Sequence, residues 1–452
     1  MKLLFIENRY TTRVYEAVAK ELIKLGHEIH WLVQNPVFSP RIGHLHVMAF
    51  PSAKFDKGGV NESYEWLART DRGVLHFGAT GSHYPHYDAL IAENLEIIQP
   101  DVIFGEATEF HELLTIRHAK VKGIPYLSPN VTRYPADRLA FMAYDTLEPV
   151  GGDGSHLSDE IADEMLAAIR ERKVVPSYMR PVASNKHAMA VAKVVDKLRI
   201  TWGWLRGERY ITPSPRRKLA LNSAQREARA QWELLAAEQH DRWVSLKASA
   251  QPWVLYALQM QPEGNIDVWG TPWNDQAVII QRAAESLAHI GATLVVKPNP
   301  KSKYEMNSQL IQAVCTAPNV LALPHATPMA DVFPHAPLVI AVTGTVLMEC
   351  IIAGKPIASL GNHAMTRYRG VNAINEPEGV ATLLQEFLRN ELATSHSGDA
   401  RELLQSLHAS SYPATMWVPV LQPRLGKPDA LDALIQAFTH VLFITEPKLI
   451  KF

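Results

Sequence analysis

Thr343-Gly344-Thr345 closes a short apolar stretch, residues 338–342. It opens a second stretch in which Val346, Leu347, Cys350, Ile351 and Ala353 recur at helical spacing until Gly354. A buried parallel strand feeding a helix leaves the helix's first N–H groups unpaired, at the positive end of its dipole, where a nucleotide phosphate is favoured. Thr343 and Thr345 add hydroxyls, and Gly344 lets the backbone come close. Lys297, in Lys297-Pro298-Asn299-Pro300, follows another apolar stretch and can neutralise a departing phosphate, with Asn299 beside it. Glu349, one helical turn past Thr345, is placed either to reach a ribose hydroxyl or to cap backbone. Nearer the N-terminus, Glu106 lies just past apolar residues 101–104, and Arg133 and Arg138 share a polar loop suited to phosphate or carboxylate. Ordinary structural uses compete with each of these: a helix start for Glu106, a solvated edge for the arginines.

The elements that must position these groups alternate. Residues 2–6, 28–33, 101–105 and 124–128 read as strands, separated by helical patterns at 12–25, 87–98 and 109–121, so residues 1–150 form one doubly wound, Rossmann-like domain. Its first turn holds Glu7-Asn8-Arg9-Tyr10 and lacks G-x-G-x-x-G, which excludes a dinucleotide cofactor. A second such domain spans residues 251–375, with strands at 254–258, 293–296, 320–323 and 338–342 and helices at 275–290, 306–315 and 329–333. Between the two, residues 151–250 read as a helical insert. Its positions 186–247 carry 13 Lys and Arg against 6 Asp and Glu, beside Trp202, Trp204, Trp232 and Trp243. Cations next to indoles suit an anionic membrane surface or a lipid-linked acceptor, and equally a solvated helix face. C-terminal helices fill residues 376–452, the last one able to cross back to the first domain. The expected fold class is thus α/β, two Rossmann-like doubly wound domains with a helical insert.

Bulk properties narrow the function classes. A chain of 452 residues is too long for one ordinary core, and a net charge of −1 gives no signal for nucleic acid. Two cysteines, Cys315 and Cys350, support neither a disulfide framework nor a cysteine-rich zinc site, so a reducing cytoplasm is the expected compartment, with peripheral attachment to the inner membrane through the basic insert. No stretch approaches the roughly 20 apolar residues that span a bilayer. No clustered Asp/His motif calls for a metal.

The ordered series Gly105-Glu106-Ala107-Thr108, Thr132-Arg133-Tyr134-Pro135 with Arg138, Gln259-Met260-Gln261-Pro262-Glu263, Lys297-Pro298-Asn299-Pro300, and Thr343-Gly344-Thr345 through Glu349 to Gly354-Lys355-Pro356 resembles the bacterial capsule-polysaccharide glycosyltransferases, Kdo transferases among them. The resemblance implies a GT-B fold with its active site between two domains and metal-independent transfer of a sugar from a nucleotide donor, CMP-Kdo among the candidates. It further implies a polysaccharide or glycolipid acceptor and no cofactor. It puts Gln259, Gln261, Glu263, Lys297, Asn299, Thr343, Gly344, Thr345 and Glu349 on the donor, and Glu106, Arg133 and Arg138 in catalysis. Two positions depart from the family: Asn299 and Gln259 stand where its members carry histidine, and an amide hydrogen-bonds without carrying a proton. Alternatives on the same fold are a sugar-nucleotide epimerase or hydrolase, and a binding subunit that has lost catalysis.

Overall fold

The computed structural model describes residues 1–51, 60–173, 186–361, 364–416 and 428–445. The loop reading for 52–59 and the helical reading for 174–185 fall outside the described residues. In chain order the elements are β1 (Lys2–Ile6), α1 (Thr12–Lys24), β2 (Glu28–Val33), β3 (His44–Val47), α2 (Glu65–Ala68), α3 (Arg72–Phe77), α4 (Tyr84–Ile98), β4 (Val102–Phe104), α5 (Phe110–Lys122), β5 (Tyr126–Val131), β6 (Leu139–Ala143), α6 (Asp159–Arg170), α7 (Lys186–Leu205), α8 (Pro215–Glu238) and α9 (His240–Ala248). There follow β7 (Trp253–Ala257), α10 (Gly264–Asp267), α11 (Gln276–Ala288), β8 (Thr293–Lys297), α12 (Ser308–Thr316), β9 (Val320–Ala322), β10 (Leu338–Ala341), α13 (Thr345–Ala353), β11 (Ile357–Ser359), β12 (Val371–Ala373), α14 (Gly379–Leu388), α15 (Ser397–Ala409) and α16 (Pro428–Ile444).

Two compact units emerge, each discontinuous in sequence: one from Met1–Ser158, Val175–Pro215 and Gln405–Phe452, the other from Asp159–Val174 and Arg216–Leu404. Both are doubly wound α/β, the fold class expected. In the first unit the strand order is β3-β2-β1-β4-β5-β6, parallel apart from the last pair. Strand β6 was not expected. It returns antiparallel to β5 after a seven-residue polar turn (132–138) and contributes only five residues, too few to show a period. Phe5 lies in register with Trp31 and Phe104, and the three rings stack at 5.1 and 5.2 Å. Helix α16 lays Phe438 against Phe104 and Phe141, 4.9 Å from each, and against Tyr15 of α1.

The second unit orders its strands β12-β11-β10-β7-β8-β9, all parallel. Its central strands are almost entirely buried and mostly apolar, as a sheet covered on both faces requires. The helix expected at 329–333 is two 3₁₀ turns, Met329–Asp331 and Phe333–His335, because Pro328 and Pro334 interrupt any longer ladder. The insert reading also needs correction. From Arg216 onward the stretch belongs to the second unit's core: Trp232 is fully buried and donates its Nε1–H to the Leu323 carbonyl at 2.8 Å, and Gln239 Oε1 accepts from the Ala322 N–H. Trp243 packs edge-on against Trp253 of β7. These indoles are structural.

Trp232→Ala should therefore cost about 3–5 kcal/mol. Urea unfolding of the second unit's transition checks this; a loss well under 1 kcal/mol would show α8 to be a detachable addition.

Candidate functional site

In each unit the strand order reverses beside its first strand, between β1 and β4 and between β7 and β10. Ligands of open parallel sheets bind at the carboxyl ends of the strands at such a point.

In the second unit, Gln259 follows β7 and Thr343 follows β10. The Gln259 Nε2–H donates to Thr343 Oγ1 at 2.8 Å, the Thr343 N–H donates to Gln259 Oε1 at 3.2 Å, and the Thr343 hydroxyl donates to the Asn265 carbonyl at 2.6 Å. Thr343 is completely buried. Its hydroxyl thus stitches the crevice together and is not available to a phosphate, contrary to the expectation. Gly344 caps α13 at φ +96°, where a side chain is strained, and no side chain caps the helix. The nine-residue α13 begins at Thr345 with no side-chain hydrogen bond at its Gly344 cap.

Lys297 ends β8. It is 4 % exposed, its Nζ donates to the Pro298 carbonyl at 2.7 Å, and burial together with the neighbouring Arg172 charge brings its pKa down to about 8. It still carries its proton at neutral pH. Arg172 follows α6, rests over the Phe333 ring and is paired with Glu349 of α13 at 2.6 Å. Glu349 is thereby an anchor for a cation, a use the ribose assignment did not foresee. His325, just past β9, donates its Nδ1–H to the Glu233 carboxylate at 2.8 Å, while its buried Nε2 has no partner among the described residues. Burial pushes its pKa down against the pull of the Glu233 carboxylate, and the charges of Arg229 and Lys297 push the same way as burial. Sequence reasoning missed His325. The family histidine was sought at Asn299, on the loop after β8, whereas this imidazole arrives from the adjacent strand; only its position three residues beyond β9 marked it.

Other donor-side expectations turn out to be framework. Asn299 Oδ1 accepts from the Lys301 N–H and closes the turn after Lys297. Gln261 is buried, donating to Asp267 and the Asn274 carbonyl and accepting from Gln276. The Glu263 N–H is held by Asp267 at 3.0 Å.

In the first unit, Glu7 follows β1 and Glu106 follows β4. Glu7 is 2 % exposed, and its Oε2 accepts the Asn35 N–H at 2.8 Å. Burial pushes its pKa up to about 8, against the pull of that N–H and with the push of Glu208 and Glu112. Glu106 is half-buried; burial and the Glu112 charge raise it to about 8 as well, with Arg72 pulling back. Glu106 does not cap α5: Glu109 and Glu112 form the capping box, and Glu112 accepts from Thr108, Glu109 and Asn8. The rival structural use of Glu106 is thus filled by others. At neutral pH Glu106 is an acid, where a carboxylate was expected. Gly105 before it admits no Cβ, which would stand 2.2 Å from the Tyr126 hydroxyl that donates to the Glu106 carbonyl.

The arginines separate. Arg133 lies half-buried in the β5–β6 turn. Arg138 is buried and committed to the fold: its Nε donates to Ser411 Oγ at 2.8 Å and its Nη2 to Asp153 and to the His408 and Ser411 carbonyls. It fastens β6 to the segment before α16 and is not free for substrate anions. Among the described residues no group of three or more His, Cys, Asp or Glu is placed to hold a metal.

No protein-family model matches the chain, and no curated protein does. Among solved structures, UDP-GlcNAc 2-epimerase from Neisseria meningitidis bound to UDP-GlcNAc is similar at 10 % identity, over 97 % of this chain and 100 % of that one, with a TM-score of 0.29. An α,α-trehalose-phosphate synthase (UDP-forming) from Burkholderia vietnamiensis matches at 11 %, over 98 % and 99 %, with 0.34. MurG from Acinetobacter baumannii matches at 11 %, over 97 % and 99 %, with 0.27. The fold stands on the strand orders and registers above, to which likenesses of this size add nothing.

The two acids carry a pH signature. Glu7 and Glu106 ionise near 4.5 in the unfolded chain and near 8 in the folded one, so between those values the folded state holds more protons, and stability falls as pH rises, levelling above about pH 8. Glu7→Gln should flatten that fall. Chemical unfolding of both proteins across this window is the measurement, and parallel curves would remove the assignment.

Proposed function

We propose that the protein is a sugar-nucleotide enzyme, a metal-independent glycosyltransferase whose second unit binds the donor's phosphate. The observation that supports this most is the gathering, at the carboxyl edge of one parallel sheet, of a helix start with no side-chain cap, a buried charged lysine and an imidazole whose Nε2 has no partner among the described residues. A phosphate ester accepts from N–H groups and from Lys297. As the sugar leaves, charge accumulates on that phosphate, and donors already in place stabilise it without reorganisation. The ordered motifs that resemble capsule-polysaccharide transferases make CMP-Kdo and a polysaccharide or glycolipid acceptor the first pair to try. Forming the new glycosidic bond releases the acceptor hydroxyl's proton, and the ionised form of Glu106, whose share grows as pH rises toward its raised value of about 8, accepts it as general base.

The test is a panel of CMP-, UDP- and GDP-sugars, with and without acceptor glycans. Acceptor-dependent nucleotide release supports transfer; interconversion of the sugar without acceptor makes the chain an epimerase, and binding without turnover makes it a binding subunit. Lys297→Ala should weaken nucleotide binding about tenfold or more. Gly344→Val should abolish it, since a branched side chain is strained at φ +96°. Unchanged affinity in both would displace the site. Glu106→Gln should lower turnover about 10²- to 10⁴-fold at unchanged nucleotide affinity.

A further inference from the structure

Helix α7, 20 residues long, belongs to the first unit. One face is fixed there: Ile200 is buried, Gly203 packs against Asn35, and Asp196 pairs with Arg9 at 2.5 Å. The opposite face is apolar and open. Val191, Val194, Val195, Leu198, Trp202 and Leu205 are 40–65 % exposed, and their i, i+3, i+4, i+7 spacing places them on a single stripe. Isolated exposed hydrophobics are ordinary; six in one row along a helix are not.

Charge says what covers the stripe. Lys197 flanks it on one side, Arg199 and Arg206 on the other, all exposed. The one acid in residues 190–205, Asp196, is turned inward onto Arg9. The Arg206 guanidinium lies 5.9 Å from the Trp202 ring, a cation and an amphipathic indole side by side on the open face. A second copy of the same face would bring cations against cations. A bilayer with anionic headgroups matches both parts, apolar interior under the stripe and negative charge along its flanks. Among the described residues no helix is long and apolar enough to cross a membrane, and α7, about 30 Å long, carries charges along its length.

We propose that α7 is an interfacial membrane-binding helix, lying in the plane of an anionic lipid surface with Val191, Val194, Val195, Leu198, Trp202 and Leu205 immersed. The charge excess seen in residues 186–247 thus divides: the part on α7 serves the membrane, while α8 and α9 serve the second unit's fold. This does not rest on the nucleotide site.

Vesicle flotation of the full chain tests it, on phosphatidylcholine alone and with added phosphatidylglycerol, at low and high salt. Binding should require phosphatidylglycerol and weaken with salt. Leu198→Glu, at an exposed position that leaves the fold intact by circular dichroism, should weaken it about tenfold or more. Lys197→Glu should cost on the order of fivefold or more at low salt and less at high salt. Equal binding to both vesicle types, or unchanged binding of Leu198→Glu, overturns the proposal. So does self-association of the wild type without vesicles that Leu198→Glu abolishes, which would make a second copy the occupant.

Discussion

A parallel strand within a covered sheet has nowhere to put chemistry except past its end. Both faces of β1, β4, β7, β8 and β10 are buried against helices, and their side chains are almost wholly apolar until the last residue. The parallel strands of each sheet run one way, so everything polar that follows them collects at one edge. The Gln259–Thr343 bonds lie at that edge in one unit, and the Glu7 and Glu106 carboxyls in the other. Helix packing fixes the strands, and the strands fix these groups.

Burial then acts on the two edges in opposite senses. It disfavours charge wherever it falls, so it raises the glutamates of the first unit toward the protonated form and lowers Lys297 of the second toward the neutral one. Each stops near the value at which a group exchanges protons readily in water near neutrality.

What could be read from residue order was the periodic part. Alternation of short branched runs with helical spacing located most strands and helices, and the strand-to-helix turns located Glu106, Lys297 and Gly344 at sheet edges. What could not be read was which polar side chain the fold itself would consume. Arg138, Gln261 and Thr343 look, by type and position, as fit for a ligand as Lys297 does; only tertiary contacts with Ser411, Asp267 and Asn265 show them spent. The same blindness applied to the indoles, since Trp232 and Trp202 sit in equally basic surroundings and only packing separates the buried one from the exposed one. His325 was invisible for the converse reason: its neighbours, Trp232 and Glu233 of α8 and Lys297 of β8, come from elements distant in sequence.

Helix α16 covers the face of the first sheet formed by Phe104 and Phe141, and it is encoded after the entire second unit. A ribosome releases this chain from its beginning, so the first sheet emerges early but keeps one face bare until the last helix appears. The second unit, complete by Leu404, has every residue it needs while its predecessor is still waiting. Synthesis therefore runs against the usual order, in which the N-terminal part settles first. During that interval the aromatic face that α16 will cover, Phe104 and Phe141, lacks that cover.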